Sequence, residues 1–353
     1  MKEETDKKPA LTPKKMVLNI AIFLGLFFVT FWFIFRGQSL GAILAVIGRA
    51  HILPILLGFL CMFGYFAMES WNIMSLLKSF GEKITFFKAL KFTMIGFFFC
   101  AVTPGASGGQ PLEIYYMSKE KINAGNATIA ILIQTCGIQI AVTAFGFICA
   151  ILGHDILNEG PMLWLFLIGL LINAFALLIL GLCILYPNGL RKVLKGFMNF
   201  LYYLGLKRAR NWEKNIESGL DQYAESSKYI KTHRNEMIKS ILKTFAQMAF
   251  FFTIPFCVYL AFGLSGHSFF MIFAMQAILF VSTSGLPIPG AIGASEGVFL
   301  SLYSAVFGEE LLSSAMLLNR GINFYWFVIV SMVVVFINIV RLDRSSEQPK
   351  LKK

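Results

Sequence analysis

Two hexapeptides carry the residues with the clearest chemical potential. PGASGG at Pro104 to Gly109 and PGAIGA at Pro289 to Ala294 agree at four of six positions, with a fixed offset of 185 residues. Each follows an apolar run, and each is followed by a carboxylate, Glu113 or Glu296. Gly and Pro at this density break a helix, so backbone amides are freed to face a cavity, and the helix that restarts presents its positive end to any anion there. Ser107 and Ser295 are placed to cap those restarts. Pro104, Gly105, Ser107, Gly108, Gly109, Gln110 and Glu113 form one candidate half-site, and Pro289, Gly290, Gly293, Ser295 and Glu296 the other. A lipid phosphate is the ligand this chemistry suggests. The competing reading makes both clusters simple packing or turn devices. The trailing acids favour a site, because carboxylates inside a membrane are costly and generally functional.

Arg320 is the third component of the candidate site. It falls about ten residues into the last apolar run, or ~15 Å of helical rise, close to mid-bilayer and too deep to snorkel easily. Its expected partners are a cavity or a carboxylate, Glu296 or Glu113, with a structural salt bridge as the alternative. Glu69 and Lys243 sit nearer the ends of their runs, where reaching the interface is the simpler expectation.

The elements that must position these residues are membrane helices. Hydrophobic residues make up 57% of the 353 and charged residues 14%, against roughly 25% charged in soluble domains; mean hydropathy is +0.70. Six stretches have the length of a full span: 16 to 35, 52 to 77, 126 to 152, 161 to 186, 237 to 262 and 311 to 340. Residues 84 to 102 and 268 to 286 run instead into the two Gly-Pro breaks. Broken backbone at membrane depth is tolerated only where protein buries it or water reaches it, so both read as re-entrant helical hairpins.

Placement of charge supports that topology. The 31 Lys and Arg outnumber 19 Asp and Glu, and basic residues accumulate on the cytoplasmic side. With both hairpins returning to the side they entered, the cytoplasm receives Lys78, Lys83, Lys88, Lys91, Lys119, Lys121 and the basic segment 187 to 236, while Arg36 and Arg49 fall outside. A single crossing through the first break would put that basic segment outside. The expected architecture is therefore an all-α polytopic protein of the cell membrane, a single domain over 1 to 353. It has six spans, two oppositely oriented hairpins related as an inverted repeat, and both termini cytoplasmic.

Within 187 to 236, Val193, Leu194, Phe197, Leu201 and Leu204 share a helical face flanked by Arg191, Lys192, Lys195, Lys207 and Arg208. That pattern suits a helix lying against anionic lipid. The same basic residues could contact tRNA phosphates, but the membrane surface accounts for them, and no nucleic acid is expected. Met16 to Phe35 is too long for a signal-peptide core and lacks a cleavage site, so a retained span is expected. The six cysteines all lie in apolar runs without a CxxC, and the four histidines are scattered. No metal, cofactor or redox chemistry is expected.

The extended segments FFFCAVTPGASGGQPLEIYYMSK (97 to 119) and LPIPGAIGASEG (286 to 297) resemble the lysylphosphatidylglycerol synthase transmembrane-region family, the flippase-like part of the multiple-peptide-resistance proteins. The resemblance runs from the first span to the last. It implies a membrane domain that moves a lipid such as lysylphosphatidylglycerol, or a lipid-linked phosphate, between leaflets. Many members have Gly-Glu in the first motif; here Gly109 precedes Gln110, and Glu113 follows three residues on. Bifunctional members add a soluble aminoacyl-transferase domain, for which the residues after Val340 leave no room. Aminoacyl transfer is thus expected, if at all, with a separate soluble transferase as partner. Three functions follow for test: a lipid translocase, a phosphatidylglycerol lysyltransferase or its membrane part, and a scaffold whose breaks only pack helices. No GxxxxGK[ST] segment is present, so movement by gradient or equilibration is expected.

Overall fold

The computed structural model describes residues 40–152, 161–186 and 234–347, with single positions at 25, 189, 192 and 196. The expected first span, 16 to 35, and the expected interfacial helix around Phe197 lie outside the described residues. Among those described, every regular element is helical and there is no strand. In chain order the helices are α1 (Leu40–Gly48), α2 (Ile52–Ser79), α3 (Phe86–Val102), α4 (Gly109–Lys119), α5 (Ala124–Leu152) and α6 (Pro161–Leu185). They continue with α7 (Arg234–Ala261), α8 (Phe269–Ser284), α9 (Ala294–Leu302), α10 (Ser304–Arg320) and α11 (Trp326–Glu347).

Five of these stretches are long and apolar enough to cross a bilayer: Ile52–Ser79, Ala124–Ile151, Met162–Leu182, Asn235–Ala261 and the composite Ser304–Ile339. The protein is a multi-pass membrane protein. On α6 only 17% of the most apolar window is buried inside the protein, and Trp164, Leu171 and Phe175 point outward. In water such a helix would expose a large apolar face; in a bilayer lipid tails cover it.

The last span starts close to where the apolar run does: Gly308 (φ 65°, ψ 167°) kinks the chain after a short turn from Ser304, and the continuous helix begins at the exposed Glu309 and Glu310. Between α10 and α11 the chain runs through a π-helical turn, Gly321–Tyr325. One wide turn of this kind shifts the helical register and often marks a functional site.

α2 packs along α7, and α5 joins both. A buried polar ladder stitches these three helices together. Asn72 of α2 donates through Nδ2 to Gln134 of α5 and to Ser240 Oγ of α7 (2.9 Å), Gln134 Nε2 donates to Gln247 Oε1 (2.8 Å), and Gln247 Nε2 donates to Glu69 Oε2 (3.0 Å). With apolar lipid outside, such interhelical bonds fix which faces meet. Glu69 is therefore an inward member of this ladder and does not reach the interface, because about ten residues of helix, ~15 Å, separate it from the α2 terminus. Lys243 donates to Ser75 Oγ and lies 5.2 Å from the Trp71 ring centre, so it too is held by its neighbours.

Candidate functional site between two matched turns

Each hexapeptide opens with the same local structure. Thr103 and Ile288, the residues before Pro104 and Pro289, are extended (φ −112°, ψ 143° and φ −110°, ψ 132°), as a following proline requires. Gly105 and Gly290 then take left-handed φ of 59° and 58°, and the next residues, Ala106 and Ala291, are also left-handed at 54° and 50°. Non-glycine residues rarely adopt that conformation. The hydrogen bonds match as well. Ala106 N–H donates to Thr103 O (3.2 Å) and Ser107 N–H to Pro104 O (3.3 Å), while Ala291 N–H donates to Ile288 O (3.0 Å) and Ile292 N–H to Pro289 O (3.2 Å). The helices that restart, α4 and α9, begin at Gly109 and Ala294, again 185 residues apart.

After the third residue the two turns diverge, and each restarted helix is capped differently. In the first, Thr103 Oγ1 accepts from Gly108 N–H at 2.9 Å. In the second, Gly293 takes φ 88° and its N–H donates to Glu296 Oε2 at 2.7 Å. Neither serine acts as the cap: Ser107 Oγ donates back to Pro104 O, and Ser295 Oγ donates to Ala291 O.

α3 packs on α4 and α8 on α9, so each break is the tip of a helical hairpin, and the two tips pack on each other. At their contact, a Cβ built on Gly105 would lie 3.8 Å from Pro287 Cα. Beside them the π turn presents Arg320. Its Nε donates to Glu296 Oε1 (2.7 Å), its Nη2 donates to Gly290 O (3.0 Å), and its guanidinium carbon stands 4.3 Å over the Phe324 ring. Tyr325 donates through its hydroxyl to the same Glu296 oxygen at 3.0 Å. Glu296 is 1% exposed and Arg320 11%, so this is a buried charge pair satisfied from several sides, the condition for its survival in a low dielectric.

A cavity of about 250 Å³ lies between the tips. Gly105, Ala106, Gly290 and Ala291 border it, and Arg320 contributes its cationic edge. Asn319 and Asn323 also line it, each 2–4% exposed, and neither side-chain oxygen has a protein partner. Gln276 lines it too, and Tyr65, Phe97, Phe251 and Phe280 add aromatic faces beside the aliphatic Leu279, Leu286 and Ile288. Buried amide oxygens and a guanidinium in a largely apolar chamber can hold a polar group that carries both hydrogen-bond donors and negative charge.

The family model described as the lysylphosphatidylglycerol synthase TM region matches residues 16–331. The chain belongs to this family. It is also similar to the "UPF0104 membrane protein" of Archaeoglobus fulgidus, 22% identical over 303 residues, which cover 84% of this chain and 90% of that protein. The family match takes in both hexapeptides, both trailing acids and Arg320.

Of the candidate residues read from the sequence, Gly105, Gly290, Ser295 and Arg320 border the cavity, and Glu296 holds Arg320 from behind. Pro104 and Pro289 set the turns, Gly108 and Gly293 take the caps, and Ser107 is exposed on the first tip. Gly109 packs against the Gly96 carbonyl and the Cys100 side chain of α3. Gln110 is half-buried and Glu113 is buried on α4, both away from the cavity wall. Sequence reasoning missed Thr103, Gln276, Asn319, Asn323 and Tyr325. An Asn at 319 and another at 323, one helical turn apart and flanking Arg320 in an apolar span, is the signal that could have found two of them.

Proposed function

We propose that the protein is a lipid translocase of the cell membrane, in which a phosphate-bearing head group occupies the cavity between the tips while its acyl chains stay in the bilayer. The observation that carries this reading is the cavity itself, bordered by two turns of matching backbone and supplied with one guanidinium and two unpartnered amide oxygens. Discontinuous helices meeting at a polar pocket are the architecture of transporters built from inverted repeats. On this reading the hairpins are re-entrant from opposite sides, six spans cross the membrane, and both termini are cytoplasmic. The sequence offset of 185 residues and the bond-for-bond match of the turns support the repeat.

Arg320 fits the role of head-group ligand because its guanidinium can exchange Gly290 O for a phosphate oxygen without leaving Glu296. A lysylated lipid would add an ammonium, for which Asn319 Oδ1 and Asn323 Oδ1 are acceptors. The family's name favours one second reading, the membrane part of a phosphatidylglycerol lysyltransferase working beside a soluble transferase. Reconstitution into liposomes with labelled phosphatidylglycerol, lysylphosphatidylglycerol and polyprenyl phosphate separates these readings. Transbilayer movement of at least one of them above the protein-free rate is the expected result. Lysylation of phosphatidylglycerol by the protein with charged tRNA, and no movement of any of the three, would establish the second reading in its place.

A further inference from the structure

The acids that follow the two tips have opposite surroundings. Glu296 is neutralised by Arg320, whereas Glu113, 5% exposed on α4, has no cation bridging it among the described residues, and its Oε1 is buried without a partner. Its other oxygen rests on the α3 backbone: a Cβ on Gly96 would come within 2.7 Å of Glu113 Oε2, so the glycine makes the room this carboxyl needs. A second carboxyl, Glu69 of α2, is near enough to act on Glu113 electrostatically, and its one described hydrogen bond comes from Gln247 of α7. The other titratable groups facing the pair are Tyr65 of α2 and Cys100 of α3, and both line the cavity. No Lys, Arg or His of the described residues bridges either acid.

Keeping two carboxylates ionised together in this setting is costly, and a proton on either one removes most of that cost. A metal ion is a poor alternative, since hard cations take six or more oxygen ligands and no group of three or more metal-binding side chains exists among the described residues. We propose that Glu69 and Glu113 hold an exchangeable proton behind the cavity wall and couple lipid movement to a proton gradient, an inference that rests on the translocase reading. The route of coupling is short. Glu113 seats α4 against α3 at Gly96, and on the same hairpin Cys100 Sγ donates to Ala106 O at 3.6 Å, in the first tip. A carboxylate that gains a proton from one aqueous side and loses it to the other changes the charge on that seat, and with it the hold on the tip.

The test has two arms. Infrared spectroscopy of the purified protein at neutral pH should show the deuteration-sensitive C=O stretch of a carboxylic acid, diminished in Glu113→Gln and in Glu69→Gln but not in Glu296→Gln. In liposomes carrying fluorescent phosphatidylglycerol, a pH gradient should accelerate wild-type flipping several-fold, and Glu69→Gln should abolish that acceleration. Glu69→Gln keeps both arms available if Glu113→Gln fails to fold. Absence of the carboxylic-acid band, or a band that both variants leave unchanged, overturns the proton site. Flipping that ignores the gradient overturns the coupling and leaves the translocase standing. A band with the expected mutational pattern and no movement of lipid sinks the translocase reading, and the coupling with it, while the proton site survives.

Discussion

Arg320 and Glu296 show how a residue-scale claim about binding separates from one about bracing. Removing one partner of a buried pair strands the other, at about 3–5 kcal/mol. The two losses should not be equal. Without Arg320, Glu296 keeps Tyr325 and Gly293 as donors but sits 1% exposed with its charge uncompensated. Without Glu296, Arg320 keeps Gly290 O and the Phe324 face and borders the cavity, where water or a head group can solvate it. Arg320→Gln should therefore lower detergent thermal stability more than Glu296→Gln. The double variant should regain stability while flipping stays at background, since the head-group ligand is gone. Recovery of flipping in the double variant would show the pair to be a brace alone. Outside the spans, Glu120 gives a prediction in pH. Burial alone would push its carboxyl up, but the Lys91 and Lys88 ammoniums, the latter 3.0 Å away, hold it below the usual carboxylate range. A depressed folded-state value gives stability that is present above about pH 4.3, the unfolded Glu value, and is lost as pH falls through the folded one. Glu120→Gln should flatten that acid loss, read as thermal stability against pH, and an unchanged acid limb would remove Glu120 from it.

Among elements, the two tips are the informative pair because they share a backbone and differ in surroundings. Gly105→Ala should cost about 1–2 kcal/mol, the penalty of a left-handed L-residue, since its Cβ meets only Pro287. Gly290→Ala should cost more and should also reduce flipping. Its Cβ would collide with the Phe324 ring, the surface that carries the Arg320 guanidinium. Equal stability losses would contradict the described contact. The hairpin arrangement itself predicts thiol accessibility in a background without native cysteines. Ser107→Cys, on the exposed tip, should react quickly with an impermeant reagent from the cytoplasmic face, and buried Ser295→Cys slowly and from the outer face. Labelling of both from one face would sink the inverted hairpins. These tips were legible in the sequence because proline and glycine impose a local geometry that needs no tertiary partner. The π turn was not, since GINFY at Gly321–Tyr325 continues the apolar run without a proline or a Gly-Pro cluster to mark a change of helix type.

On the scale of the whole molecule, hydropathy predicted the five described spans to within a few residues at most ends, because a bilayer leaves the chain few alternatives. What hydropathy could not supply was which buried polar groups meet. Glu69 read as an interfacial residue from its distance along the sequence, and its place in the ladder depends on Gln247 and Gln134 arriving from two other helices. Likewise the difference between Glu296 with its arginine and Glu113 without one exists only in three dimensions. The central claim is that lipid passes where the tips meet, which requires them to separate. Cysteines replacing Gly105 and Pro287, where a Cβ built on residue 105 would lie 3.8 Å from the Pro287 Cα, are close enough for a disulfide. Transbilayer movement of fluorescent phosphatidylglycerol, measured in liposomes for this double variant before and after reductant, tests the claim most directly. The account predicts background flipping when the bridge is formed and recovery on reduction; flipping at the wild-type rate with the bridge intact would contradict it.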